Sequence, residues 1–381
     1  MKRRYYSQND VLMLGKRINN PKRSYLLVNP LQAKHIPVSP AAAIEMMSSL
    51  GRLVRESSPG KCLVIGFAET ATAVATVVSM QLDTECLYIQ TTREDLEEVQ
   101  NWVEFSEEHS HATEQKLCGD GLRDWIAVVD HIVVVDDEFS TGKTLINIAK
   151  ALKAYTPDAH KKDYVAVSIV NRIDEEHVSL LAEEGYRCVY LVKPADEDYE
   201  KIVSDFQVHK AETISMWEDD SNSATEIQLQ TLYQNPRMGV SSREYTKTCD
   251  VLAEEARQII QSMLVGERIL VIGTEECMYP ALAVGKRLEE ISRVKIIRCH
   301  ATTRSPIGIS EHEGYPIQNG CRLRSFYDSE RITYLYNLRE YDMAVIVTDA
   351  RKDKRKEGLH DLCTALKRFG CRRIICLGIG E

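Results

Sequence analysis

Short apolar runs alternate with amphipathic stretches along most of this chain. Residues 132–135 are four apolar, β-branched positions, which predicts a buried parallel strand. Two adjacent carboxylates, Asp136 and Asp137, end the run, and a small hydroxyl-rich turn (Ser140, Thr141, Gly142, Thr144) follows. Leu145, Ile148, Ala149 and Leu152 then recur at the spacing of one helix face. The same strand–turn–helix order is expected at residues 63–65, at the turn Gly66 to Glu69, and in the amphipathic stretch behind it. Prolines at 30, 37 and 40 make 24–40 an extended segment, and 40–55 reads as a helix that starts on Pro40. Further strands are expected up to Thr91, over 163–173 and over 186–195, the last two separated by a helical stretch. The alternation predicts an α/β fold, a parallel sheet of about five strands with helices on both faces.

The C-terminal part repeats this order. Gly273 and Glu276 fall 207 residues after Gly66 and Glu69; Thr302, Thr303 and Arg304 fall 211 after Thr91, Thr92 and Arg93; Asp349 falls 212 after Asp137. Such slow drift over three landmarks suggests a duplicated fold. The second copy is degenerate. Thr348 stands in place of the first acid, and a charged run, residues 351–357, replaces the small-residue turn. A hairpin is expected around Asn319-Gly320. Between the copies, residues 212–235 are polar and poorly patterned. The domains are therefore placed at 24–212 and 241–381, with 213–240 as linker.

Length and charge narrow the function. A chain of 381 residues exceeds one ordinary core. A formal net charge of −9 argues against a nucleic-acid or membrane-surface protein, which would show a basic footprint. Eleven scattered cysteines without a C-x-x-C pair fit reduced thiols in a cytoplasmic protein, and no run reaches about 18 apolar residues. The chemistry is expected at strand ends, where open α/β sheets bind ligands. Carboxylates accept from vicinal hydroxyls, while loop N–H groups, Thr hydroxyls and a helix N-terminus donate to a phosphate. Gly142, Lys143 and Thr144 also end a Walker A loop. That loop requires another glycine five places earlier, where this chain has Asp137, whose charge would repel nucleotide phosphates. Thr91, Thr92 and Arg93 point donors at one place, as an anion site or as a solvated strand end.

Four apolar residues, two acids, then Thr-Gly-x-Thr resemble the ribose-phosphate motif of the type I phosphoribosyltransferases. The resemblance implies that Asp136 and Asp137 hold the ribose hydroxyls of phosphoribosyl pyrophosphate (PRPP) and that Ser140, Thr141, Gly142, Lys143 and Thr144 wrap its 5′-phosphate. It implies that Gly66, Phe67, Ala68, Glu69 and Thr70, with Arg93, take the pyrophosphate together with Mg²⁺; a plain tight turn is the other reading of that loop. Residues 96–124 occupy the place of a flexible loop that closes over the site, with Glu108, His109 and His111 as the candidate acid–base residues. Lys34 and His35 are candidates for the acceptor. No protein-held metal site is expected.

Thr-Arg-Ser-Pro at 303–306, with its preceding Thr302, resembles the signature of the TRSP domain. That domain follows a phosphoribosyltransferase-like domain, close to the orotate type, in proteins encoded with bacterial tellurium-resistance and stress gene clusters. The N-terminal pieces AKHIPV, GFAETATAV, TTRE and EEHSHAT resemble the partner domain. The implied activity is transfer of a 5-phosphoribosyl group to or from a nucleobase-like or other small acceptor. The alternative is a regulator of the same fold that binds PRPP or a nucleotide without turnover. Thr303, Arg304 and Ser305 are candidates for closing over the acceptor, or else belong to a partner-docking module. The expected partners are small molecules, and a homodimer is compatible with the reading.

Overall fold

The computed structural model describes residues 5–18, 20, 23–82, 85–106, 115–214 and 224–380. The chain forms two compact units: one comprises residues 1–8, 45–196 and 234–247, the other 9–44, 197–233 and 248–381. The N-terminal segment 9–44 thus packs with the C-terminal sheet, against the expectation that residues from 24 onward belong to the first domain. Local pattern cannot report this, because a bridge between Val38 and Cys299 carries it across the sequence.

In the first unit the strands are β1 (Cys62–Gly66), β2 (Leu87–Gln90), β3 (Trp102–Phe105), β4 (Gln115–Cys118), β5 (His131–Phe139), β6 (Asp163–Asn171) and β7 (Tyr186–Val192). The sheet runs β2-β1-β5-β6-β7, all parallel, and Val240–Ser241 adds an antiparallel edge beside β2. Five parallel strands are what the alternation predicted. Helix α1 (Pro40–Ser57) starts where expected, and α2 (Thr72–Met80), α3 (Leu122–Val128), α4 (Lys143–Tyr155) and α5 (Glu175–Glu183) connect or cover the strands. Leu145, Ile148, Ala149 and Leu152 are all fully buried on α4. Each of the three larger ones contributes about 1.5–3 kcal/mol by burial. The helix is therefore fixed by its apolar face, since its N-cap, Gly142, has no side-chain acceptor to offer.

β5 is longer than its apolar run. Register with β6 continues through Asp136 opposite Ser168, Glu138 opposite Val170 and Phe139 opposite Asn171. The acids consequently lie within the strand's last turns and not beyond it. The stretch 96–124 differs more from expectation, because β3 and β4 form an antiparallel ribbon with Val103, Phe105, Leu117 and Cys118 in the core.

The second unit contains β8 (Thr225–Gln228), β9 (Arg268–Gly273), β10 (Ile296–Ala301), β11 (Gly320–Arg324), β12 (Ile332–Tyr336), β13 (Met343–Thr348) and β14 (Arg373–Gly378), with α6 (Tyr279–Leu288) and α7 (Lys356–Arg368). Its sheet runs β10-β9-β13-β14-β8, all parallel. That is the order of the first sheet strand for strand, except that the last edge comes from earlier in the chain. β8 lies inside the segment read as linker; its sequence, TEIQ, is too polar to signal a strand. The hairpin is β11–β12, but its turn falls over residues 325–331 and not at Asn319-Gly320. Asn319 instead pairs through its side chain with the backbone of Leu338, and a Cβ on Gly320 would come within 2.4 Å of the Tyr336 ring. Among the described residues no helix is long and apolar enough to cross a membrane, and no disulfide joins any of the cysteines.

Candidate functional site

The candidate site lies at the C-terminal ends of β1, β2 and β5 in the first unit. β1 ends at Gly66, where an added Cβ would stand 2.5 Å from the Ala75 Cβ. This glycine is required because α2 packs against the strand end. The loop that follows is held on one side by β2. Thr91 N–H donates to the Gly66 carbonyl at 2.9 Å, and Ala68 N–H donates to Thr91 Oγ1 at 2.8 Å. Thr92 pairs through its backbone with Lys116, and its Oγ1 accepts from Glu94 N–H. Both hydroxyl oxygens thus accept within the loop and turn. Arg93 follows them half-buried.

The peptide between Ala68 and Glu69 is cis, and Glu69 is buried. Beyond it, Thr70 Oγ1 donates to Asp137 Oδ1 at 2.9 Å, and Asp137 N–H donates to Asp136 Oδ1 at 2.8 Å. The loop after β1 and the acid pair on β5 are therefore one constellation. Burial pushes the Asp137 carboxyl above the ordinary carboxylate range. Hydrogen bonding with Asp136 and Thr70 opposes that rise, while the charge of Glu138 adds to it. Three acids in a row are partly balanced by Arg172, which pairs with Glu138 at 3.3 Å and donates its N–H to the Phe139 carbonyl at 2.8 Å. Neither Glu138 nor Arg172 was singled out from sequence, where an arginine after a strand reads as surface.

From β5 the chain passes through Ser140 and Thr141 to Gly142, in the left-handed region at φ 76°, and enters α4 at Lys143. A left-handed residue directly before a helix turns successive backbone N–H groups toward one point, which suits an oxyanion. Lys143 is exposed there, and Thr144 is half-buried. Asn147 on α4 donates to the Ser106 carbonyl at the end of β3, tying the ribbon to this helix.

Glu108, His109 and His111 fall outside the described residues. Lys34, His35, Thr303, Arg304 and Ser305 lie in the second unit. There Lys34, fully buried, donates to the carbonyls of Glu275 and Thr302, both at 3.0 Å. Thr303 Oγ1 accepts from Ser305 N–H, Arg304 donates to Glu275 at 2.7 Å, and the Ser305 carbonyl accepts from Tyr336. These residues hold that unit's own loops. Their grouping with Asp136 and Asp137 rested on the resemblance and on chain order, and Lys34 and His35 group with the second unit. Gln115 was missed; a lone glutamine at the edge of a polar stretch gives no sequence signal. Among the described residues no group of three or more His, Cys, Asp or Glu side chains is arranged to hold a metal.

A strand-end acid pair beside a glycine turn that opens a helix is the arrangement that the resemblance to the type I phosphoribosyltransferases leads one to expect. Comparison with known families agrees: residues 11–193 match the phosphoribosyl transferase family, and residues 234–366 match the TRSP domain that lies C-terminal to it. The two matches give a phosphoribosyl transferase family domain followed by a TRSP domain. Solved structures similar to it include the adenine phosphoribosyltransferase of Giardia lamblia complexed with 9-deazaadenine, at 12% identity over 48% of this chain and 95% of that one, with a TM-score of 0.32. The Rhodothermus marinus adenine phosphoribosyltransferase aligns at 8% identity over 49% and 96%, with a TM-score of 0.33. The Trypanosoma brucei enzyme in complex with AMP, pyrophosphate and ribose-5-phosphate aligns at 11% over 49% and 94%, with a TM-score of 0.29. No curated protein matches the chain.

Proposed function

We propose that the first unit binds PRPP and transfers its 5-phosphoribosyl group to or from a nucleobase-like or other small acceptor, with release or use of pyrophosphate. The observation that carries this reading is the Thr70–Asp137 hydrogen bond, which joins the loop expected to face pyrophosphate to the acids expected to face ribose. Displacement at the ribose C1 develops positive charge on the ring, so the enzyme must fix the sugar, support the leaving group and exclude water. Asp136 and Asp137 accept from the two ribose hydroxyls and orient the ring. Ser140 to Thr144 hold the 5′-phosphate at the start of α4. The loop from Gly66 to Thr70 lies along the diphosphate, with Arg93 as its cation.

Mg²⁺ would come bound with PRPP and neutralise diphosphate charge beside the loop from Gly66 to Thr70, where buried Glu69 adds a hard oxygen ligand. Glu108, His109 and His111 are the proposed acid–base residues. The setting implied by the TRSP arrangement, a tellurium-resistance or stress pathway, is part of the proposal. Calorimetric titration with PRPP and Mg²⁺ tests binding, and pyrophosphate release from labelled PRPP across a panel of bases tests transfer. Absence of PRPP binding by folded protein would overturn the reading. Binding without release on any acceptor would instead favour the regulator.

A further inference from the structure

One residue of the first loop is held by both of its backbone groups. The Ala68 N–H donates to Thr91 Oγ1 at 2.8 Å, and the Ala68 carbonyl accepts from Gln115 Nε2 at 3.0 Å. The Thr91 hydroxyl in turn donates to Gln115 Oε1, which closes a ring of three hydrogen bonds. All three groups are buried: Thr91 fully, Gln115 to 1% exposure and Ala68 to 6%. The ring fixes the amide orientation. A flipped Gln115 would set its oxygen against the Ala68 carbonyl, two acceptors with no proton between them. Gln115 is also the first residue of β4, so the ribbon itself supplies the clamp.

The second unit repeats the device with a different side chain. Glu275, the counterpart of Ala68 by the 207-residue offset, donates its N–H to Thr302 Oγ1 at 3.0 Å, as Ala68 does to Thr91. Its carbonyl accepts from Lys34 Nζ at 3.0 Å. A glutamine amide in one unit and a lysine ammonium in the other perform the same task, turning this carbonyl into the protein.

We infer that Gln115 is a positioning residue for the pyrophosphate half of the site, acting through the Ala68 carbonyl. The inference rests on the PRPP reading above. A loop that faces a diphosphate must present N–H groups, and a carbonyl that turned outward would set its negative end against the anion. Gln115 removes that carbonyl, while Thr91 fixes the peptide on its other side. Neither side chain touches substrate, and the ribose and 5′-phosphate grips lie on β5 and α4, so the two halves separate experimentally.

The test uses the full chain, with pyrophosphate plus Mg²⁺ and ribose 5-phosphate titrated separately by calorimetry into wild type, Gln115→Met, Gln115→Glu, Thr91→Val and Thr91→Ser. Expected is a tenfold or greater loss of pyrophosphate affinity in Gln115→Met, Gln115→Glu and Thr91→Val, with ribose 5-phosphate affinity within twofold of wild type. Thr91→Ser, which keeps the hydroxyl, should restore pyrophosphate binding and guards against a variant that simply fails to fold. Unchanged pyrophosphate affinity in folded Gln115→Met overturns the inference, as does an equal loss of both ligands. Wild type that binds ribose 5-phosphate but not pyrophosphate overturns the inference alone. Wild type that binds neither overturns the reading beneath it.

Discussion

On the proposed PRPP reading, replacing Asp136 and Asp137 by asparagine should separate ligand grip from fold. Asparagine keeps a carbonyl oxygen in each place, so Thr70 can still donate to residue 137 and the 137 N–H can still donate to residue 136, at the 2.9 and 2.8 Å now seen. What is lost is the charge on the acceptor. Hydrogen bonds to charged groups contribute about 1.5–3 kcal/mol and neutral ones about 0.5–1.5. With one ribose hydroxyl per acid, each substitution should cost about 1–2 kcal/mol of binding, and the pair about 2–4, or roughly 30- to 1,000-fold in affinity.

Stability should move the other way or not at all. Burial holds the Asp137 carboxyl above the ordinary carboxylate range, so the folded state disfavours its charge at neutral pH. The sign follows from linkage. Between the unfolded carboxylate value and the raised folded one, the folded protein binds more protons, and wild-type stability falls as pH rises through that window. Asp137→Asn should abolish that slope and leave the melting temperature at pH 7 unchanged or slightly raised. Calorimetry with ribose 5-phosphate and with PRPP and Mg²⁺, alongside thermal melts from pH 4 to 8, measures both effects. A folded double variant that binds PRPP within twofold of wild type would refute the reasoning.

Gly142→Ala places a side chain at φ 76° with its Cβ 2.9 Å from Leu181 Cδ1; it should lower stability by about 1–3 kcal/mol in urea unfolding and weaken ribose 5-phosphate binding, whereas unchanged binding would remove the turn from the phosphate site. Asp342 in the second unit is held down to about 2 by hydrogen bonds from Arg268 and from the Glu267 and Arg268 amides. Its stabilisation is present above the unfolded carboxylate pKa and is lost as pH falls from about 4 toward 2. Asp342→Asn should therefore cost about 1–2 kcal/mol at pH 7, allowing for the partial exposure of Arg268, and nothing near pH 2; a deficit independent of pH in the melts would refute the charge argument. Asp349 is the counterpart of Asp137, but its Oδ1 already accepts from the Tyr327 hydroxyl at 2.5 Å. Asp349→Asn should leave PRPP affinity within twofold of wild type by calorimetry.

What could be read from the sequence was whatever local pattern encodes. The apolar run at 132–135, the acids and the turn at Gly142 announce the strand, its acidic end and the helix, because burial period and backbone freedom act over a few residues. Long-range pairing left no such trace. β3 and β4 are four-residue strands separated by a polar stretch, so the 96–124 region read as loop although both strands reach the core. Lys34 and His35 precede the first strand–turn–helix unit in the chain, yet they are buried in the other unit, and nothing in their own segment says so. Gln115 acts only through partners 24 and 47 positions away. The clamp on Ala68 was therefore invisible until both partners were in place.

The clamp is common to both units. Thr91 and Thr302 hold the same loop position, and Gln115 and Lys34 hold the same carbonyl. The turns after the two acidic strands differ. In the first unit Gly142 opens a helix with a small-residue loop before it. In the second, Arg355 occupies the N-cap of α7, donates to the Ala350 carbonyl at 2.9 Å and pairs with Glu226 of β8 at 3.0 Å, so the Arg355 side chain closes the turn. A clamp that persists beside a turn with no phosphate cup must hold the loop for the fold's sake there. By itself it says nothing about pyrophosphate. The first unit differs in adding Thr70, whose Oγ1 donates to Asp137 Oδ1 beside the glycine turn. Loss of the clamp should thus disturb stability in both units and ligand binding only in the first, and comparing Thr91→Val with Thr302→Val in the same pyrophosphate titration puts that difference to measurement.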